Sequence, residues 1–245
     1  MAIHPFLAMT AAEIREFSLF PKKFAWMACH FSPYGSGLSN LPRDVPPGSL
    51  LIVDDITPPH GHDPEIIATQ LRRCVETTGC CGILFDFQRP NHDETAAFVR
   101  SLVHTLPCPA AVSEYYAADM ECPVFLPPVP PSVALQDHIA SWKSRDIWLD
   151  FSLTGETITV TEQGSSVSPL PFPNWEAEGF SEETLHCHYQ IQEEDHALRF
   201  TFWRTPMDLI DLLEEAEKLG ISAAVGLYQE LYHCNFLYPD SVQNL

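Results

Sequence analysis

The run Cys80-Cys81-Gly82-Ile83-Leu84-Phe85-Asp86-Phe87-Gln88-Arg89-Pro90 places an acid and an amide two residues apart on an otherwise apolar segment. Its apolar stretch reads as a buried β-strand over 82–88, and successive side chains of a strand point to opposite sides. Leu84, Asp86 and Gln88 therefore share one face, and Ile83, Phe85 and Phe87 share the other. The first face can line a pocket while the second packs under helices. Asp86 and Gln88 stand near the C-terminal end of this strand, the end at which barrel enzymes keep their catalytic groups.

The stretch Gly82-Ile83-Leu84-Phe85-Asp86-Phe87-Gln88 resembles the signature strand of the family 18 chitinase-like glycoside hydrolases, whose pattern is D-G-x-D-x-D-x-E. Ala224-Val225-Gly226-Leu227-Tyr228 is similar to the last strand of that family. The resemblance implies a (β/α)8 barrel, a sugar-binding cleft and an aspartate, Asp86, that assists the substrate's own acetamido group. Cys81 and Leu84 stand where the family has acids, and Gln88 stands where it has the general-acid glutamate. A carboxylic acid can protonate a glycosidic oxygen, whereas an amide has no comparably acidic proton. Either the chain is a catalytically silent relative, or another carboxyl group supplies the proton. Glu114, on the next strand, is the first choice for that group and Glu230, after Tyr228, the second.

Other residues can line the same mouth. Asp54-Asp55 ends a strand, and by alternation only one of the two can face the lumen. Asp150 closes Ile147-Trp148-Leu149-Asp150 in the same way, and His30 ends the strand that begins at Phe24. Tyr115, Tyr116, Trp148, Trp203 and Tyr228 offer flat faces for sugar stacking, of which one or two are expected at a site, with Tyr116 and Tyr228 the candidates. The alternative to each reading is an ordinary structural role: a loop-capping carboxylate, a core aromatic or a hydrogen-bonded histidine.

A rival constellation is metal binding, as in metal-dependent hydrolases, with His60, His62 and Asp54 or Asp55 as ligands. Asp63 is better read as a helix cap, and His186-Cys187-His188 would place both imidazoles on one face of a strand, so no metal is assigned. No phosphate-cradling or dinucleotide-binding glycine motif follows any strand, and no cofactor is assigned. Gly35-Ser36-Gly37 reads as a strand-to-helix connection or a lip over the site.

These residues need elements to hold them. Strands are expected over 24–30, 50–55, 82–88, 110–116, 124–126, 147–151, 197–203 and 222–228, about eight positions. Helices are expected over 64–78, 92–106, 133–144 and 206–219. Asp63 and Pro64 open the first of these and Gly79 closes it; Thr205-Pro206 and Gly220 bound the last. Alternation of strand and helix implies a mainly parallel sheet with right-handed crossovers. The predicted fold is α/β: an irregular (β/α)8 TIM-type barrel over 1–245, a single domain, with a β-rich insertion over 152–196. Within the insertion, 157–161 and 185–192 read as strands, 165–173 as a loop, and 154–157 and 193–196 as hairpin turns.

The 245 residues suffice for one large core. The formal charge of −20, from 33 acidic and 13 basic residues, repels nucleic acid and anionic membranes. No apolar run reaches the roughly 20 residues of a membrane helix, and the opening lacks a signal-peptide pattern. The eight cysteines are scattered through apparent strands and helices and are expected reduced. The expectation is a soluble, cytoplasmic protein. Its leading function is that of a glycoside hydrolase or glycoside-hydrolase-like protein acting on a β-linked, possibly N-acetylated, oligo- or polysaccharide. The alternatives are a silent carbohydrate- or protein-binding barrel and a metal-dependent hydrolase.

Overall fold

The structure, a computed structural model, describes residues 5–16, 20–21, 23–89, 93–171, 173–194 and 196–231. Eight parallel strands close into a barrel: β1 (Phe6–Met9), β2 (Phe24–Phe31), β4 (Leu50–Asp54), β5 (Gly82–Asp86), β6 (Ala110–Ser113), β7 (Val124–Leu126), β8 (Ile147–Asp150) and β14 (Ala223–Leu227). β1 seals the cylinder by pairing with β14 on one side and β2 on the other. A two-residue strand, β3 (Leu38–Ser39), adds antiparallel to the end of β2. This is the predicted (β/α)8 TIM-type architecture.

The strands are buried on both faces and so are almost wholly apolar. One face fills the lumen with Phe6, Ala8, Ala25, Leu50, Ile52, Leu84, Ala111, Phe125, Trp148, Ala223 and Val225. The other packs Leu51, Val53, Ile83, Phe85, Val112 and Leu149 beneath the helices. Large and small residues alternate in the lumen because their volumes must sum to a fixed cross-section. Gly82 is the extreme case, since a Cβ there would lie 2.9 Å from the ring of Trp148 and 3.3 Å from the Pro109 carbonyl oxygen.

Helix boundaries follow from local chemistry. The helix Pro64–Thr78 begins where the Asp63 carboxylate accepts the Glu65 N–H, and ends at Gly79, whose φ of 71° is left-handed. The helix Pro206–Lys218 starts with a capping box between Thr205 and Asp208. The helix Asp93–Val103 lies within the predicted span, of which His92 falls outside the described residues. The span 133–144 is instead a short helix, Leu135–His138, followed by a single 3-10 turn, Ala140–Trp142.

Two strand assignments are corrected. Phe6–Met9 is a barrel strand that the sequence reading omits, and Ala197–Trp203 is not one. It belongs to a separate antiparallel sheet of five strands: β9 (Gly155–Thr161), β10 (Gly164–Leu170), β11 (Phe180–Glu182), β12 (Cys187–Glu194) and β13 (Ala197–Trp203), ordered β10-β9-β13-β12-β11. The expected turn over 154–157 lies mostly within β9, and the expected loop over 165–173 is mostly β10; Phe172 lies outside the described residues. β12 and β13 do form a hairpin, pairing Glu194 with Ala197, although Asp195 lies outside the described residues. In the described residues no helix is long and apolar enough to cross a membrane.

Candidate functional site

The lumen changes character at the C-terminal ends of its strands. Along β5 the lumen positions are Gly82, Leu84 and then Asp86; along β4 they are Leu50, Ile52 and then Asp54; along β8, Trp148 and then Asp150. Asp54 and Asp86 are register partners on adjacent strands, which places their backbones about 4.8 Å apart. His30 is the register partner of Asp54 on the other side. It reaches this row because β2 carries a bulge between Trp26 and Cys29. Strict alternation from Ala25, which faces the lumen, would turn His30 toward the helices; the extra residue reverses the parity and turns it inward.

Asp86 is held by Gln88, whose side-chain amide donates to the Asp86 carboxylate. Burial raises the Asp86 carboxyl above the usual range, the Gln88 bond opposes that, and the charges of Asp55 and Asp54 add to it. Asp150 is pushed up to about 8, first by burial and then by the negative charges of Asp86 and Glu230. Burial also raises Glu230, which stands on the helical turn Tyr228–Leu231 directly after β14. One Glu230 oxygen, Oε2, is buried and has no hydrogen-bond partner among the described residues. Asp54 is raised by burial, while its bond from the Ile56 amide (3.0 Å) and the nearby His30 lower it. Asp54, Asp86, Asp150, Glu230 and His30 are thus gathered at one mouth, with Gln88 attached to Asp86 and half-buried Tyr228 at the start of the Glu230 turn. Carboxyl groups pushed upward by burial at one mouth are the raw material of acid and base roles.

Three predicted residues lie elsewhere. Asp55 is the buried member of the Asp54-Asp55 pair and does not line the lumen; its carboxylate accepts the backbone N–H groups of Gln88 (3.2 Å) and Arg89 (3.0 Å). Tyr116, 4% exposed, packs edge-on against Phe87 and donates its hydroxyl to the Arg89 carbonyl at 2.7 Å, so it is no sugar-stacking surface. Both line a cavity of about 40 Å³ with Pro58, Pro59 and His60, room for little more than a water. Their work is to fix the loop that carries Gln88. Glu114 is not on a strand: β6 stops at Ser113, whose hydroxyl bonds the Phe87 carbonyl oxygen at 2.7 Å, and Glu114 opens the helical turn Glu114–Ala117. Its charge is felt by His138 rather than by Asp86.

The metal alternative is not assembled by the residues that suggested it. His60 pairs with Glu94 at 2.9 Å, His62 packs on Phe31, and Asp63 caps the helix as expected. His186 and His188 pair with Glu215 (2.7 Å) and Asp208 (3.0 Å), tying the five-stranded sheet to the helix Pro206–Lys218. Among the described residues no group of three histidine, cysteine, aspartate or glutamate side chains is arranged to hold a metal ion.

The sequence reading passes over Arg204 and Glu156. Arg204, 1% exposed, donates to the carbonyls of Val129, Pro130 (3.3 Å), Leu185 (3.3 Å) and His186 (3.1 Å), and Glu156 accepts the Ser132 N–H at 2.7 Å. Together they fasten the proline-rich loop after β7 to the five-stranded sheet. The available signal was a lone arginine closing an apolar strand, Phe200-Thr201-Phe202-Trp203-Arg204.

The sequence matches no protein-family model and no curated protein. Its fold has clear counterparts among solved structures. A family 18 chitinase from Cycas revoluta, solved in complex with (GlcNAc)4, superposes with a TM-score of 0.57 at 10% identity, over 97% of this chain and 98% of that one. The spore cortex-lytic enzyme SleL of Bacillus cereus gives 0.55 at 12% identity, over 91% of this chain and 70% of that one. A chitinase from Chromobacterium violaceum gives 0.54 at 10% identity, covering 98% of this chain and all (100%) of that one. The chain shares the closed eight-stranded barrel of these proteins.

Proposed function

We propose that this chain is a glycoside-hydrolase-like barrel that acts on a β-linked, N-acetylated oligosaccharide lying across the C-terminal ends of its strands. The observation that carries the reading is the convergence of Asp86, Asp150 and Glu230 at one mouth, each with its carboxyl pushed upward by burial. The chitinase fold and the oligosaccharide bound by the Cycas revoluta neighbour support the substrate class.

In this reading the substrate's acetamido oxygen attacks the anomeric carbon as the glycosidic bond breaks, and the leaving oxygen takes the proton of Glu230. Asp86, held by Gln88, faces the positive charge that develops on the acetamido group. Water then adds at the anomeric carbon, the bond to the acetamido oxygen breaks, and the proton from water returns to Glu230. Glu230 is assigned the proton in preference to Glu114 because its charge reaches Asp150 and one of its oxygens is buried without a hydrogen-bond partner among the described residues. Asp54, His30, Gln88 and Tyr228 contact the sugar hydroxyls. Asp55 and Tyr116 act indirectly, through the Gln88 loop.

The test is hydrolysis of chito-oligosaccharides and aryl N-acetylglucosaminides by purified wild type, Asp86→Asn and Glu230→Gln. Turnover that disappears in both variants supports the reading; turnover that survives Asp86→Asn overturns it. One feature favours a second reading, a silent barrel that binds sugar: Gln88, where the resemblance puts an acid, is bonded to the very aspartate such an acid would work beside. Thermal stabilisation by chito-oligosaccharides without any turnover selects that reading.

A further inference from the structure

We propose that the open edge of β12 over residues 191–194 is a docking site for an extended, basic segment of another protein. The segment pairs with β12 as a further strand of the five-stranded sheet, a use of this surface that does not depend on chemistry at the barrel mouth.

The edge exists because the two neighbours of β12 differ in length. β13 accompanies β12 from His188 to Glu194, whereas β11, on the other side, covers it only from Cys187 to Tyr189. Among the described residues no strand lies beside positions 190–194 on that side, and residues 191–194 are all exposed. A strand paired on one side only turns alternate backbone N–H and C=O groups outward, a template for another strand. Where β11 gives out, a concavity of about 430 Å³ opens between the strands, lined by Glu178, Gly179, Phe180, Gln190, Ile191 and Gln192. The Gln190 side-chain amide donates to the Glu178 carbonyl there, so the inner end is closed and the open stretch begins at Ile191.

The side chains along the edge define what fits it. On one face of the sheet Val167, Ile158, Phe200 and Ile191 stand in register across four strands. Ile191, 50% exposed, ends that row, and Phe180 on the same face is 64% exposed. An apolar side chain placed opposite Ile191 continues the row. Glu193 shares this face two residues on, and the residue opposite it is matched in charge when it is lysine or arginine. On the other face Glu194 already holds Arg199 at 2.8 Å. The surroundings have the same sign, for residues 155–203 hold nine acidic residues against one basic, Arg199. A second copy of this chain is the wrong occupant. Pairing the same edge about a two-fold axis brings Glu193 and Glu194 of both chains together, where like charges destabilise a sheet, and each chain carries a net charge of −20. Glutamates on an open edge thus turn away acidic strands and admit basic ones.

The experiment is amide hydrogen exchange, followed by NMR on the full chain, with three synthetic peptides: (Val-Lys)4, (Val-Glu)4 and (Gly-Lys)4. The last matches the charge of the first and lacks its apolar side chains. Expected is new protection within residues 191–194 with (Val-Lys)4 alone, and Glu193→Lys, a change at an exposed position, should weaken that binding roughly fivefold. Equal binding of (Gly-Lys)4 would show charge attraction without strand pairing and overturns the proposal. Protection confined to other residues, or none with (Val-Lys)4 at millimolar concentration, overturns it as well. Sedimentation of the chain alone tests the remaining occupant: a dimer whose formation protects residues 191–194 would assign the edge to a second copy and remove the basic partner.

Discussion

Trp148 and Gly82 occupy one site between them: the indole of the first fills the space where any side chain on the second would begin, 2.9 Å from ring to Cβ position. Because Leu50 Cδ1 (3.2 Å) and the Pro109 carbonyl oxygen (3.3 Å) close the other sides, an added methyl cannot be absorbed by a rotamer change. Gly82→Ala is expected to cost about 1–3 kcal/mol, read as a lower midpoint in chemical denaturation. Trp148→Phe in the Gly82→Ala background should recover part of that loss, since residues sharing one volume are not additive. Additive losses in the double variant would show that the two do not compete for space.

Asp150 gives the stability a pH signature. Its ordinary value is 3.8 and its folded value about 8. Between these the folded state keeps a proton that the unfolded chain has released, so the Asp150 contribution is complete below about pH 4 and is lost as pH rises toward 8. Asp150→Asn never ionises and escapes this loss. Its melting temperature should therefore gain on that of wild type steadily from pH 4 to pH 8 and then run parallel, with each pH unit worth at most about 1.4 kcal/mol. A difference between the two proteins that stays constant from pH 4 to 9 contradicts the buried, protonated carboxyl.

Restoring the acid is the sharpest test of chemistry at Gln88. Gln88→Glu puts a carboxyl beside Asp86, where the existing negative charge favours its protonated form. With the proton assigned to Glu230, the added carboxyl supplies nothing the reaction lacks, and an unchanged or lower rate of chito-oligosaccharide turnover across pH 4–8 is expected. General acid catalysis contributes roughly 100- to 10,000-fold, so an increase of at least tenfold, largest below pH 6, would show that position 88 and not Glu230 is the place from which the proton is delivered.

Arg204 joins strands and loops that are distant in sequence, through carbonyls of residues 129, 130, 185 and 186. Burial lowers its guanidinium to about 10, against the pull of Asp208 and Glu156, and it remains charged at neutral pH. Arg204→Met leaves those carbonyls without their donor and those acids without a nearby positive charge, and should cost about 3–5 kcal/mol, measured by urea unfolding. A loss below 1 kcal/mol would mean that the loop after β7 is held by other contacts.

Much of this architecture is legible because its causes are local. Asp63, Pro64 and Gly79 bound their helix by capping and backbone chemistry that a few residues decide. Ala197–Trp203 was harder. Its alternation of Leu198, Phe200 and Phe202 with Arg199 and Thr201 is the mark of a half-exposed antiparallel strand, unlike the unbroken apolar runs of β4 or β5. Asp86 and Asp150 can both be found at strand ends by pattern. Their relation cannot, because it depends on which non-adjacent strands face each other across a closed cylinder. The choice between Asp54 and Asp55 likewise waits on register, which pairs Asp54 with Asp86 and leaves Asp55 to the loop.

The bulge in β2 makes that strand sensitive in a way resembling a reading frame. Everything after the irregularity between Trp26 and Cys29 keeps its face only because one additional residue is counted in. Deleting a single residue there would leave composition almost untouched, yet His30 would be delivered among the helices and the ring of Phe31, now wholly buried against Phe87 and Phe98, would be swung into the row of carboxylates. In that protein the barrel would still close, and its mouth would have exchanged an imidazole for a benzene ring.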